Sequence, residues 1–244
     1  MDFSDGKLEL VVGTMFSGKT SYMISRISFF ADLGFKLLYI NIEFDNRSKS
    51  MFSTHNPFIN TEDYEKQSNI QKNVTMCKAK NLSPIQFNEY DIIIIDEAHF
   101  FPDLVEFTHK LLEAKKYVIV GSLIADFKGN KFGNIYDLIP ICDDIKRLQA
   151  YCGICAKDKK YRVAIYSKRM NESEETIEIG GSEKYMPVCR EHFDNTDKEK
   201  VNKKDINQEL ETYTTSIKKH IIIENANDFD YNHSIDFSNT NQFI

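Results

Sequence analysis

Apolar positions in this chain come in two kinds of run. Leu8-Glu9-Leu10-Val11-Val12, Leu37-Leu38-Tyr39-Ile40-Asn41-Ile42, Asp91-Ile92-Ile93-Ile94-Ile95-Asp96 and Tyr117-Val118-Ile119-Val120-Gly121 are short and nearly continuous, bounded mainly by glycine or charge. Runs of that kind predict strands buried on both faces, as in a parallel sheet. Between them the spacing becomes helical. Met23, Ile27 and Phe30 recur through residues 22–33, with Gly34 at the C-cap position, and residues 103–114 are amphipathic. The first strand, helix and second strand form a βαβ unit. Residues 43–88 are more polar. There the pattern predicts a loop over 47–60, a helix over part of 61–71 and a short strand at 74–76. The alternation through the first 150 residues predicts an α/β fold, a parallel sheet with helices on both faces.

The pattern changes after Ala150. Two β-like runs, 162–167 and 176–179, precede a Gly180-Gly181 turn inside a polar segment opened and closed by cysteines. Beyond Phe193 the chain is rich in Asn, Asp and Lys, and residues 206–223 alone have an amphipathic helical pattern. Three parts are therefore expected: an α/β unit over 1–150, a small domain over 151–193, and a polar C-terminal extension over 194–244 that is partly disordered.

Charge and composition narrow the partners. The 244 residues carry 31 basic and 37 acidic side chains, a net charge of −6. Ten acidic and six basic side chains lie in 194–244, so the rest of the chain is close to neutral. Nucleic acid is not expected as a partner, because duplex binding relies on clustered Lys and Arg. No apolar run approaches the length that spans a bilayer, and no secretory signal is visible, so a cytoplasmic protein is expected.

Gly13-Thr14-Met15-Phe16-Ser17-Gly18-Lys19-Thr20 fits G-x-x-x-x-G-K-[ST] between a strand and a helix. In such a loop, backbone N–H groups cradle phosphates, the lysine reaches the β- and γ-phosphates, and the hydroxyl of Thr20 helps hold Mg²⁺. Asp96-Glu97-Ala98-His99 follows the isoleucine strand directly. Asp96 stands where a carboxylate holds Mg²⁺ through its water shell, and Glu97 is placed to accept a proton from an attacking oxygen. The letters also spell a helicase box, but a helicase needs a second motor domain and basic strand-contact motifs that this chain lacks. A P-loop ATPase that remodels nucleic acid or protein is the alternative function.

Cys152-x-x-Cys155 and Cys189-x-x-His192 are two ligand pairs of knuckle spacing. Together they predict a closed Cys₃His zinc site, structural and not catalytic. Cys77 and Cys142 lie outside it and are expected to pack as small apolar residues.

These motifs in series, with Phe132-Gly133-Asn134, Ile179-Gly180-Gly181 and Tyr185, resemble the type II thymidine kinase family over residues 7–193. The resemblance implies a P-loop NTPase fold with a RecA-like parallel sheet, plus a small zinc-binding β-ribbon and lid domain. It implies an ATP:thymidine 5′-phosphotransferase of nucleotide salvage, with ATP, Mg²⁺ and structural Zn²⁺. Glu97 would be the general base, helped by Lys19 and Arg47. Asp45, Asn46 and Arg47 cover the family's D-x-R element near the phosphates, joined by Asp96, Glu97, Ala98 and His99. Met15, Phe127, Phe132, the segment Thr176, Ile177, Glu178, Ile179 and Gly180, and Tyr185 would form the nucleoside pocket and its lid. A homotetramer, feedback binding of dTTP and a cytoplasmic location (host cytoplasm if the source is viral) are also implied. Ala98 and His99 stand where the family most often has Gly and Gln. Thr14 replaces Pro, and Ile124-Ala125-Asp126 replaces a more polar stretch, which bears on acceptance of deoxyuridine beside thymidine.

Overall fold

The four apolar runs form the middle of one sheet. The computed structural model describes residues 5–44, 52, 60–171, 178 and 180–194. Its large sheet contains β1 (Lys7–Val12), β2 (Leu37–Ile42), β3 (Val74–Ala79), β4 (Ile92–Ile95), β5 (Tyr117–Ser122) and β6 (Asp144–Arg147). The strand order is β3-β2-β4-β5-β1-β6, and every neighbouring pair is parallel. The α/β reading of the sequence is borne out.

Side chains alternate along β1 to β5, so each of these strands feeds two cores. Leu38, Ile40, Ile93, Ile95, Val118 and Val120 pack on one face with Leu104, Phe107 and Leu111 of α4 (Leu104–Glu113). Leu37, Tyr39, Ile92, Ile94 and Ile119 pack on the other with Met23, Ile27 and Phe30 of α1 (Lys19–Asp32). Each such aliphatic side chain contributes about 1.5–3 kcal/mol by leaving water. Cys77 and Cys142 pack against the α4-side core, as expected of small apolar residues. The one acidic side chain inside β1, Glu9, accepts hydrogen bonds from the hydroxyls of Tyr22 (2.5 Å) and Tyr117.

Some details differ from the sequence reading. α1 begins at Lys19, because Lys19-Thr20-Ser21 continue the helix without an apolar residue to mark them. β3 continues past Met76 to Ala79, and the helical stretch of 61–71 becomes α2 (Thr61–Glu65) and α3 (Ser68–Asn73). β6 was not legible: Asp144-Ile145-Lys146-Arg147 is mostly charged, as suits an edge strand that must not recruit another chain.

The remaining elements are small. β7 (Ala150–Tyr151) pairs antiparallel with β8 (Val163–Ala164), and β9 (Tyr166–Arg169) with β10 (Tyr185–Val188). α5 (Gly153–Lys157) and α6 (Arg190–Asp194) follow β7 and β10. Their shared core is Cys152, Cys155, Met186, Val188 and Cys189. β10 escaped the sequence reading because Pro187 interrupts a four-residue run. Of the run 176–179 only Glu178 lies inside the described residues, and the helical stretch 206–223 lies outside them. Among the described residues no helix is long and apolar enough to cross a membrane.

Candidate active site and metal centre

The phosphate loop leaves β1 at Gly13 and enters α1 at Lys19. A Cβ on Gly13 would lie 2.4 Å from Ser17 Oγ and 2.6 Å from the Leu148 carbonyl, so the turn has no room for a side chain. Gly18 adopts φ +86°, a left-handed conformation that favours glycine. Lys19 is buried, and its Nζ donates to the Thr14 carbonyl at 2.9 Å. The N-terminus of the 14-residue α1 adds the positive end of its macrodipole to the same loop.

Asp96 follows β4, one strand removed from β1 in the sheet. Its carboxylate accepts from the hydroxyls of Thr20 (3.2 Å) and Tyr39 (2.8 Å) and from the Glu97 N–H (2.8 Å). Burial, then the charge of Glu97, pushes its pKa above the usual carboxylate range. The Tyr39 and Glu97 hydrogen bonds and the Lys19 charge oppose that rise. A buried carboxylate and a threonine hydroxyl in contact, with too little positive charge between them, make a donor set that suits a divalent cation.

Glu97 sits at φ +49°, in the left-handed region, at the turn into the 3₁₀ helix Ala98–Phe100. That conformation costs a non-glycine residue about 1–2 kcal/mol. Backbone cost of this kind gathers at functional sites. Glu97 Oε2 lies 3.7 Å from Nε2 of the buried His99. The Leu123 N–H donates to His99 Nδ1 at 3.2 Å, which leaves Nε2 as the protonated nitrogen of the neutral ring. Phe100 and Phe132 flank the imidazole, with centroids 4.2 and 4.6 Å away. Ala98 is wholly buried in the α4-side core.

The other side of the site comes from the hairpin around Phe127 and from β9 and β10. The guanidinium of Arg169 lies 3.7 Å from the centre of the Phe127 ring, and its Nη2 donates to the Tyr185 hydroxyl at 2.8 Å. That hydroxyl donates to the Glu178 carbonyl at 2.7 Å. The Met15 N–H donates to Ser167 Oγ at 2.9 Å, joining the phosphate loop to β9.

Cys152, Cys155, Cys189 and His192 place one donor atom each within 4.8 Å of all the others. His192 Nδ1 lies 3.3–3.4 Å from the three sulfurs, and the Cys155 and Cys189 sulfurs are 3.9 Å apart. A tetrahedral zinc ion with bonds of about 2.3 Å to sulfur and about 2.0 Å to nitrogen needs edges of roughly 3.5–3.8 Å, so the cluster fits. Burial, then the Cys152 and Cys189 sulfurs, pushes the Cys155 thiol up to about 12. A divalent cation supplies the positive charge such crowded sulfurs need.

The family model for thymidine kinase matches residues 6–193. The chain belongs to the thymidine kinase family. The thymidine kinase of Fowlpox virus (strain NVSL) is 36% identical over 191 residues, which are 78% of this chain and 98% of that one. The cytosolic thymidine kinase of Homo sapiens is 33% identical over 185 residues, 76% of this chain and 72% of that one. The thymidine kinase of Amsacta moorei entomopoxvirus is 36% identical over 194 residues, again 78% of this chain and 98% of that one. Residues 194–244 lie beyond the family match.

Within this thymidine kinase fold, three groups of expected site residues are drawn together. Lys19 and Thr20 meet Thr14 and Asp96, Glu97 meets His99, which packs on Phe132, and Phe127 meets Tyr185 through Arg169. Asp45, Asn46, Arg47, Thr176, Ile177 and Ile179 lie outside the described residues. Ser167 and Arg169 were missed. The available signal was strand alternation: in Tyr166-Ser167-Lys168-Arg169 the two inward positions are polar, and inward polar residues on a short strand call for partners.

Proposed function

We propose that this chain transfers the γ-phosphoryl group of ATP to the 5′-hydroxyl of thymidine, giving dTMP for nucleotide salvage, with deoxyuridine as a second acceptor. The match to the thymidine kinase family over residues 6–193 carries this reading. The contact of Thr20 with Asp96, and of Glu97 with His99, supports it locally.

Phosphoryl transfer is mostly positioning and charge neutralisation. The backbone of Gly13 to Thr20 binds the phosphates, and Lys19 and Arg47 offset their charge, with Asp45 and Asn46 as further ATP-binding residues. Thr20 and Asp96 would hold Mg²⁺, which supplies further positive charge to the phosphate oxygens. Glu97 takes the proton from the 5′-hydroxyl, with the His99 Nε2 3.7 Å from its carboxylate. Met15, Phe127 and Phe132 wall the nucleoside, and residues 176–180 with Tyr185 cover it and exclude water. Cys152, Cys155, Cys189 and His192 hold Zn²⁺ to anchor that cover. Feedback binding of dTTP, a homotetramer and a cytoplasmic location belong to the same proposal.

An assay of the four deoxynucleosides with Mg·ATP tests it. Thymidine-dependent ADP formation is expected. Hydrolysis stimulated by nucleic acid, with no nucleoside phosphorylated, would restore the ATPase alternative that the family match disfavours. Glu97→Gln should lower kcat by about 10²–10⁴-fold while ATP still binds; near-normal turnover would remove Glu97 as the base.

A further inference from the structure

Arg169 is a buried cation on β9, with 7% of its surface exposed. Its guanidinium meets three neighbours. Its plane lies over Phe127 at 3.7 Å, Nη2 donates to the Tyr185 hydroxyl at 2.8 Å, and Nε stands 3.7 Å from the Glu178 carboxylate. Glu178 is itself held by Lys184 Nζ at 2.9 Å and by Asn171 Nδ2 at 2.9 and 3.1 Å. One planar group thus joins three separate stretches: the hairpin bridged at Ala125 and Lys131, the start of β10, and residue 178 between β9 and β10. Lysine has a compact charge and no plane, so it cannot stack on Phe127 and reach Tyr185 in the same way.

We infer that Arg169 is a positioning residue of the nucleoside site. It fixes the Phe127 ring, which Lys128 Nζ also overlies at 5.4 Å, and it holds Tyr185 and the Glu178 backbone in register with that ring. This rests on the reading that Phe127 and Tyr185 contact the nucleoside. Thymidine binding should depend on Arg169 although Arg169 touches no substrate, whereas ATP binding, seated on β1 and α1, should not.

The test uses the full chain with zinc bound and compares Arg169→Met, Arg169→Lys, Phe127→Leu and the Arg169→Met/Phe127→Leu pair. Arg169→Met should raise the thymidine KM about tenfold and leave the ATP KM within about twofold. Arg169→Lys should not rescue it. The double variant should bind thymidine about as poorly as Phe127→Leu alone, since the two side chains act as a unit. An unchanged thymidine KM in Arg169→Met, or an equal rise in both KM values, would overturn the inference. Should Arg169→Met lose its zinc or fail to fold, Arg169→Lys decides, because it keeps a cation on β9 but loses the planar contact with Phe127. A raised thymidine KM then supports the inference, and an unchanged one overturns it. If the unmodified chain phosphorylates no thymidine, the functional reading falls and the inference with it; an active chain with indifferent variants sinks the inference alone.

Discussion

Lys19 and Thr20 open α1 after β1, and Asp96 follows β4; these strands pair with β2 and β5, six-residue parallel strands buried on both faces. Ser167, Arg169 and Tyr185 stand on a four-residue antiparallel pair over a core of five buried residues. The first set can gather buried polar groups beside the sheet because two apolar cores stabilise it from both faces. The second set has too little apolar surface for that. It replaces burial with a Cys₃His cluster that fits a metal ion, a stacked cation and side-chain bonds to backbone.

The contrast is most sharply tested by removing the metal. A structural zinc site contributes on the order of 10 kcal/mol to the part it closes. Chelation should abolish thymidine phosphorylation while ATP binding, read by titration calorimetry, persists on the sheet. Some loss of ATP affinity is expected through the Met15–Ser167 bond. Loss of ATP binding altogether would show that the two regions are one cooperative unit.

Core truncations come next. Ile94→Ala, within the sheet, should cost about 2–5 kcal/mol and lower the denaturation midpoint of the whole fold. Met186→Ala, beside the cysteines, should leave that midpoint nearly unchanged with zinc bound and instead speed zinc loss to a chelator. Equal midpoint shifts would erase the distinction.

The smallest effect concerns charge at the strand end. Burial raises the pKa of Asp96 in the fold above its unfolded value, so its ionisation on the sheet works against folding. Asp96→Asn removes that cost. In the nucleotide-free protein at pH 7 it should raise stability by an amount on the order of 1–2 kcal/mol. The advantage should shrink as pH falls through the folded pKa of Asp96, where the wild-type carboxyl takes up its proton. Mg·ATP should then stabilise the wild type and not the variant. Thermal melts across pH, with and without Mg·ATP, read both effects.

The same contrast explains what could be read from the sequence. Isoleucine runs and helical spacing announce a sheet buried on two faces, and the phosphate loop and zinc knuckles have fixed spacing, so the central strands, Lys19, Thr20 and the cysteines were all legible. β6 and β10 were not, because an exposed edge and a proline-containing ribbon carry no apolar pattern. Arg169 and Ser167 were easily overlooked for a related reason. In a small lobe the inward positions are filled by polar residues whose partners come from distant parts of the chain. The left-handed turn at Glu97 also leaves no mark, since nothing in a glutamate predicts φ +49°.

The strand order has a consequence for how the molecule is made. β2, β3 and β4 can pair with one another as they emerge from the ribosome, but β1 sits between β5 and β6. β1 therefore has no seat until residues 117–122 have followed it out, which is a long-range closure of the kind that slows folding. The phosphate loop hangs from that strand, so it takes shape late. ATP stabilises only a chain whose sheet is complete, and a stalled or truncated product gains nothing from the nucleotide around it.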